Sequence, residues 1–173
     1  EVNPAANAGS VPGIYSRAGT NLFFYANDGT HGFEPWVADL RWLCATLVER
    51  YGDGCAGAAG VPVLTNFGAP TLGNANFALD VGNALPNSAA LFLIAPTTGG
   101  LFRLGPCWLH VGVPFVNILL PTDAAGRARL PVPIGNGRWF KGANLFFQAW
   151  IYDPASGNGI ATATNGLRIF IGT

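Results

Sequence analysis

The side chains able to do chemistry are few in this chain, and they stand in settings that do not combine. Its four serines, Ser10, Ser16, Ser88 and Ser156, fall outside the Gly-x-Ser-x-Gly turn that presents a hydrolytic serine at a strand-to-helix elbow. Its two histidines, His31 and His110, are far apart, and neither comes with the Cys-x-x-Cys pairs that a zinc site would want. Glycoside hydrolysis needs only two carboxylates, which brings Glu34, Glu49, Asp53, Asp80, Asp123 and Asp153 into view. Those beside Gly or Pro sit where Asp ordinarily stabilises a turn. Asn27-Asp28-Gly29 and the Asp153 loop offer oxygen ligands, but a calcium loop concentrates several acidic residues within about a dozen positions, and neither loop does. The expectation is a chain that is not an enzyme, with no catalytic residue, no metal and no cofactor.

Three cysteines, Cys44, Cys55 and Cys107, allow one intramolecular disulfide and leave one thiol over, and their spacing leaves the pairing open. Aromatic residues are plentiful: five Trp (Trp36, Trp42, Trp108, Trp139 and Trp150), twelve Phe and four Tyr. Such rings can form a flat platform for sugars, although aromatic side chains more often fill a core.

Any such groups must be held by a chain of unusual composition. Half of the 173 residues are hydrophobic and only 10% are charged, against about 25% charged in an ordinary globular domain. No run approaches the roughly eighteen consecutive apolar residues of a membrane-spanning helix. The apolar content must therefore be shared between a core and a neutral surface, and broad neutral surface marks contact with another body. Nine Lys plus Arg balance nine Asp plus Glu, and Lys141 is the single lysine. No basic stripe exists to track a phosphate backbone, so nucleic acid is not an expected partner. Net neutrality also removes the repulsion that keeps molecules dispersed. The chain begins at Glu1 and contains no Met, as expected of a secreted protein relieved of a targeting peptide.

Twenty-four Gly and thirteen Pro punctuate short runs rich in Val, Ile, Leu, Phe and Trp. Strands are expected at 21–26, 33–38, 63–66, 76–81, 89–94, 108–111, 115–120, 128–133, 145–152 and 166–171. Thr122-Asp123-Ala124-Ala125-Gly126 reads as a hairpin connection, and 153–159 reads as a second loop. The partial helical spacing of Leu40, Trp42, Leu43, Leu47 and Val48, closed by Gly52, predicts one short helix near 40–51. Strand 145–152 is apolar on both faces, with Phe146 and Trp150 on one and Phe147 and Ala149 on the other, and so requires a covering layer. The fold class is all-β: an antiparallel β-sandwich, Greek-key or jelly-roll-like, with an N-terminal β-hairpin extension. Residues 1–50 form the arm, hairpin and linker, and 51–173 form the sandwich.

Residues 1–13 are a tract of Asn, Ala, Pro, Gly and Ser with too little apolar content to fold alone. If this arm or the hairpin after it adds a strand to the next molecule's sheet edge, the contact is head-to-tail. A head-to-tail contact that does not close into a ring yields a filament. Val11, Ile14, Leu22, Phe23 and Phe24 are the expected inserted contacts.

The segment Asn21-Leu22-Phe23-Phe24-Tyr25-Ala26-Asn27-Asp28-Gly29-Thr30-His31-Gly32-Phe33-Glu34-Pro35-Trp36-Val37-Ala38-Asp39 resembles a single unit of the ELW repeat. That family runs Leu-Phe-Phe strand, Asp-Gly turn, Gly, then Glu-Leu-Trp ahead of an Asp. Pro35 stands where the family has Leu, and Leu40 where it has Gly. Units of the family come in tandem, and a single copy cannot bury its own hydrophobic face. The resemblance therefore implies that this one packs on the main domain or on another chain.

Residues 51–173 resemble a β-rich C-terminal domain of secreted proteins of environmental bacteria, one without an assigned activity. The likeness rests on Tyr51-Gly52-Asp53-Gly54-Cys55-Ala56-Gly57, Gly105-Pro106-Cys107, Thr122-Asp123-Ala124-Ala125-Gly126, Gln148-Ala149-Trp150 and Thr164-Asn165-Gly166-Leu167. It implies that Cys55 pairs with Cys107 and leaves Cys44 as a free or intermolecular thiol. The rival pairing, Cys44 with Cys55, closes a shorter loop. Neither resemblance brings a catalytic residue.

The expected function is a secreted structural subunit, extracellular or at the cell surface. Its partner is itself, in a filament or sheath built by head-to-tail strand or arm exchange. The alternative is a carbohydrate-binding or adhesive β-sandwich module of a larger secreted protein, with extracellular polysaccharide as partner.

Overall fold

In a computed structural model of the chain the described residues are 13–19, 21–39, 46–99 and 102–172. They belong to two compact units, Glu1–Ala45 and Thr46–Thr173. The first unit is an antiparallel sheet of β1 (Gly13–Ala18), β2 (Asn21–Asn27) and β3 (Phe33–Asp39), in that order. The expected hairpin is thus a three-stranded sheet. Gly13, Ser16 and Arg17 interrupt the alternation that would have marked β1 as a strand. Strands β2 and β3 pair in register from Asn21↔Asp39 to Asn27↔Phe33. This register puts Phe23, Tyr25, Phe33 and Val37 on one face and Leu22, Phe24, Ala26, Glu34 and Trp36 on the other.

The second unit holds β4 (Leu47–Tyr51), β5 (Val63–Phe67), β6 (Ala78–Gly82), β7 (Ala89–Ala95), β8 (Arg103–Leu104), β9 (Cys107–Trp108), β10 (Val116–Pro121), β11 (Ala128–Pro131), β12 (Asn144–Tyr152), β13 (Ala161–Ala163) and β14 (Gly166–Phe170). A large sheet runs β10-β7-β12-β14-β4, with β13 also on β12; a small sheet runs β11-β6-β5; β8 and β9 form a hairpin of their own. All these pairings are antiparallel. Because β10 pairs with β7 while β11 pairs with β6, the stretches β6–β7 and β10–β11 travel together from one sheet to the other. That paired crossing is how a jelly roll wraps. The all-β antiparallel class expected from the sequence is the one found. Among the described residues no helix is long and apolar enough to cross a membrane.

Three local expectations are corrected. The short helix near 40–51 is absent at its described end. Residues 40–45 lie outside the described residues, and Leu47–Tyr51 is the edge strand β4, paired with β14 from Leu47↔Phe170 to Tyr51↔Gly166. Helical propensity is a weak preference that a ready sheet edge overrides. Gly52, read as a helix cap, instead turns the chain at φ +61° beside the His110 ring, with which a Cβ would collide. The strand at 108–111 reduces to Trp108 in β9 and an isolated bridge from Val111 to Thr98. The 122–126 turn is no hairpin, since it carries the chain from the large sheet to the small one. Asp123 Oδ1 accepts the N–H groups of Ala125 and Arg127, both at 2.8 Å, and Gly126 adopts φ +67°.

The two sheets face each other across one core. Phe92, Phe147, Ile151, Leu167 and Ile169 of the large sheet meet Leu64, Leu79, Val81 and Leu130 of the small one, with Phe77 among them. Burial of each such side chain contributes about 1.5–3 kcal/mol. On the opposite face of β12, Gln148 is fully buried. Its Oε1 accepts the His110 N–H at 2.9 Å, and its Nε2 donates to the carbonyls of Trp108 and Thr164, both at 2.9 Å. The covering layer over this part of β12 is therefore the segment after β9, within the same unit. A disulfide joins Cys55 to Cys107, with Cα atoms 5.1 Å apart, and anchors that segment. This is the pairing implied by the resemblance; Cys44 lies outside the described residues.

Replacing Gln148 by Ala should cost about 2–4 kcal/mol in chemical denaturation, because it removes a buried side chain and the partner of three backbone groups. Replacing both disulfide cysteines by Ala should cost about 4 kcal/mol, given the loop of 52 residues. Since both contacts hold the same segment, the combined variant should lose less than the sum.

Candidate functional site

Strand β7 is apolar throughout, so its outer side chains, Leu91 and Leu93, need cover just as its inner ones do. The disulfide-anchored segment covers Leu93, Ala95 and Val111, with Leu109 and Trp150 packed alongside. Past that segment the cover stops, and an open cleft of about 410 Å³ remains. Leu91 and Leu93 line it together with Leu119 of β10, Trp150 of β12 and Phe102 and Ile160 from the flanking loops. The lining presents no polar atom. A lining of this kind suits aliphatic and aromatic side chains. Its rim is open to solvent: Leu119 is 65% exposed and Phe102 52%.

Leu119 belongs to β10, the edge of the large sheet. One side of β10 bonds to β7 from Val116↔Ile94 to Pro121↔Ala89, and on the other side no strand pairs among the described residues. Such an edge presents a row of backbone groups able to accept a further strand.

The first unit carries an apolar surface of a different kind. On one face of its sheet Phe23, Tyr25, Phe33 and Val37 are all between 45% and 63% exposed. Of the expected assembly contacts, Phe23 lies on this open face, whereas Leu22 and Phe24 point to the opposite, half-buried one. Val11 lies outside the described residues, as does the side chain of Ile14 in β1.

Of the weighed carboxylates, Glu49, Asp80, Asp123 and Asp153 have structural partners. Asp80 takes Arg129 in a two-pronged pair at 2.6 and 2.8 Å, and that guanidinium lies 4.6 Å over the Phe67 ring. Glu49 meets Arg168 at 3.5 Å. Asp153 is fully buried and accepts the N–H groups of Ala58 and Ala155, at 2.7 and 3.0 Å. Asp80 and Asp123 border one groove, but the first is held by Arg129 and the second by its own turn. Among the tryptophans, Trp36 donates to the Ala26 carbonyl at 3.1 Å, and Trp108 lies under the Arg103 guanidinium, 5.1 Å from its ring. Trp139 is 81% exposed in a single 3-10 turn, Arg138–Phe140, with the Phe140 ring 5.9 Å away. Trp42 lies outside the described residues.

One grouping was missed by the sequence reading, which looked for Cys pairs or a second His. The β2–β3 turn folds Asp28, His31 and Glu34 together. Asp28 Oδ1 accepts the N–H groups of Thr30 and His31, both at 2.8 Å, and its Oδ2 lies 2.8 Å from His31 Nδ1. Glu34 Oε1 is 3.8 Å from the same nitrogen. Bonds from the His31 backbone and ring hold the Asp28 carboxyl down at about 2, and the carboxylates in turn raise the His31 imidazole. The signal in the sequence was the spacing Asp-x-x-His-x-x-Glu across two glycines.

No protein-family model matches the chain, and a search of curated proteins finds no match to it.

An environment-sensitive apolar dye should fluoresce on the native protein, and Leu119→Lys should reduce that signal at least severalfold while shifting stability by no more than about 0.5 kcal/mol. The His31 ring should titrate above the ordinary 6.5 by proton NMR and return toward it in Asp28→Asn. With its folded value raised, His31 stabilises the turn below pH 6.5, and this contribution fades as pH rises through the raised value.

Proposed function

We propose that this chain is a secreted, non-enzymatic structural subunit that self-assembles head to tail outside the cell or at its surface. The observation that carries the reading is the edge of β10, unpaired among the described residues, beside an apolar cleft. A strand laid along β10 would pair with its outward backbone groups and drop alternate side chains toward Leu91, Leu119 and Trp150. The first unit offers apolar strands of its own in β2 and β3. Two unlike apolar surfaces on one chain suit a heterologous contact, which propagates as a filament or sheath when it does not close. The resemblance of 21–39 to one repeat unit supports the same reading, since a single unit wants a neighbour. A disulfide fits an oxidising, extracellular setting, and Cys44 in that setting is available to cross-link subunits.

Trp139 favours a second reading. A ring so exposed, with Phe140 beside it, suits the face of a sugar, which would make the chain a carbohydrate-binding or adhesive module acting on extracellular polysaccharide. Retention on an insoluble polysaccharide, lost in Trp139→Ala, is the outcome this second reading requires.

Negative-stain electron microscopy and sedimentation separate the two. The full chain should form fibres, while a variant lacking 1–39 and the Leu119→Lys variant should stay monomeric. Monodisperse particles from all three over a wide concentration range would sink the assembly reading.

A further inference from the structure

The β2–β3 turn gathers a ligand set of mixed chemistry. Asp28, His31 and Glu34 each present one donor atom, and all three atoms lie within 4.8 Å of one another. Donors bound tetrahedrally to one divalent ion at about 2.0–2.2 Å stand roughly 3.5 Å apart. The Nδ1–Oδ2 separation of 2.8 Å and the Nδ1–Oε1 separation of 3.8 Å lie on either side of this spacing, within reach of small side-chain adjustments.

The backbone prepares two of the three donors. Both N–H bonds to Asp28 end on Oδ1, which leaves Oδ2 turned toward the imidazole. Gly29 and Gly32, at φ +87° and +88°, make the tight reversal that brings His31 back over Asp28. A Cβ at Gly32 would meet nothing within 4 Å, so no packed atom closes off that side of the turn. The side chains of His31 and Glu34 are 67% and 40% exposed, which leaves room for water in the remaining coordination positions.

The donor types select the metal. Calcium takes six to eight oxygens, and this turn supplies a nitrogen and two carboxylates. One imidazole with two carboxylates suits borderline divalent ions, and two negative charges balance such an ion. We propose that the β2–β3 turn is a binding site for a divalent transition metal of the zinc class, held by Asp28 Oδ2, His31 Nδ1 and Glu34 Oε1, with further positions open to water. The site belongs to the first unit alone, and the proposal does not rest on self-association.

The test uses the full chain carrying Cys44→Ser, so that no free thiol competes, stripped of metal and titrated with Zn²⁺ alone by calorimetry. One Zn²⁺ per chain should bind, and Co²⁺ in its place should give visible absorption bands of imidazole–carboxylate coordination. His31→Ala and Glu34→Gln should each weaken Zn²⁺ binding at least about tenfold, while the metal-free variants keep the parent's circular dichroism spectrum. Absence of Zn²⁺ binding by the parent chain at millimolar metal would overturn the proposal, as would unchanged affinity in either variant.

Discussion

A single buried amide sets how the outer face of the large sheet is organised. Gln148 sits mid-strand in β12 with no exposed surface, and a buried amide without partners is costly. Neighbouring strands use their own backbone groups in the ladder, so its partners must come from chain lying over the sheet. The end of β9 supplies the Trp108 carbonyl, the segment after it the His110 N–H, and the loop before β14 the Thr164 carbonyl. Once that segment is pinned, Cys107 is brought to Cys55, Thr162 donates to the Cys55 carbonyl, and Tyr51 donates to the His110 carbonyl at 3.1 Å. Disulfide and amide hold one strap from two ends.

The same strap explains why an apolar surface is left uncovered. Strands as apolar as β7 and β12 need cover on both faces. The small sheet covers the inner face, and the strap covers the outer face only where Gln148 and the disulfide hold it. Beyond it, Leu91, Leu119 and Trp150 line the cleft next to β10, whose outer edge pairs with no strand among the described residues. Charge does not compensate, because only 10% of the chain is charged. The self-association proposed for the chain is a way of completing this unfinished layer.

Much of the architecture was legible because strands announce themselves locally. Val63, Ala89, Ala128 and Gly166 begin strands where the apolar runs and glycine punctuation place them. Where the reading failed, the deciding contact was remote. Leu47 and Val48 carry a helix-like spacing, yet they pair with Phe170 and Ile169, more than a hundred residues away. Asp123 makes the turn its residue type suggests, but the strands on either side of that turn join different sheets. Candidate site residues were less legible still. The Leu22-Phe23-Phe24 run reads as one apolar stretch, and a strand necessarily divides it between two faces. Asp28, His31 and Glu34 read as unrelated turn and strand residues until the reversal at Gly29 and Gly32 joins them.

Class and composition can be read from the residues alone: an all-β chain, neutral, rich in apolar residues, with strands cut to length by Gly and Pro. These follow from residue types and short-range periodicity, which act through the local backbone. The tertiary structure alone decided which outer surfaces are covered. Whether Leu93 lies beneath the strap while Leu119 stays open depends on where a segment carrying Cys107 and His110 crosses β12. That crossing is chosen by a disulfide between cysteines 52 residues apart and by hydrogen bonds to Gln148 from His110 and Trp108, 38 and 40 residues away. Such bonds have no local signature, because their energy exists only once the partners are already brought together.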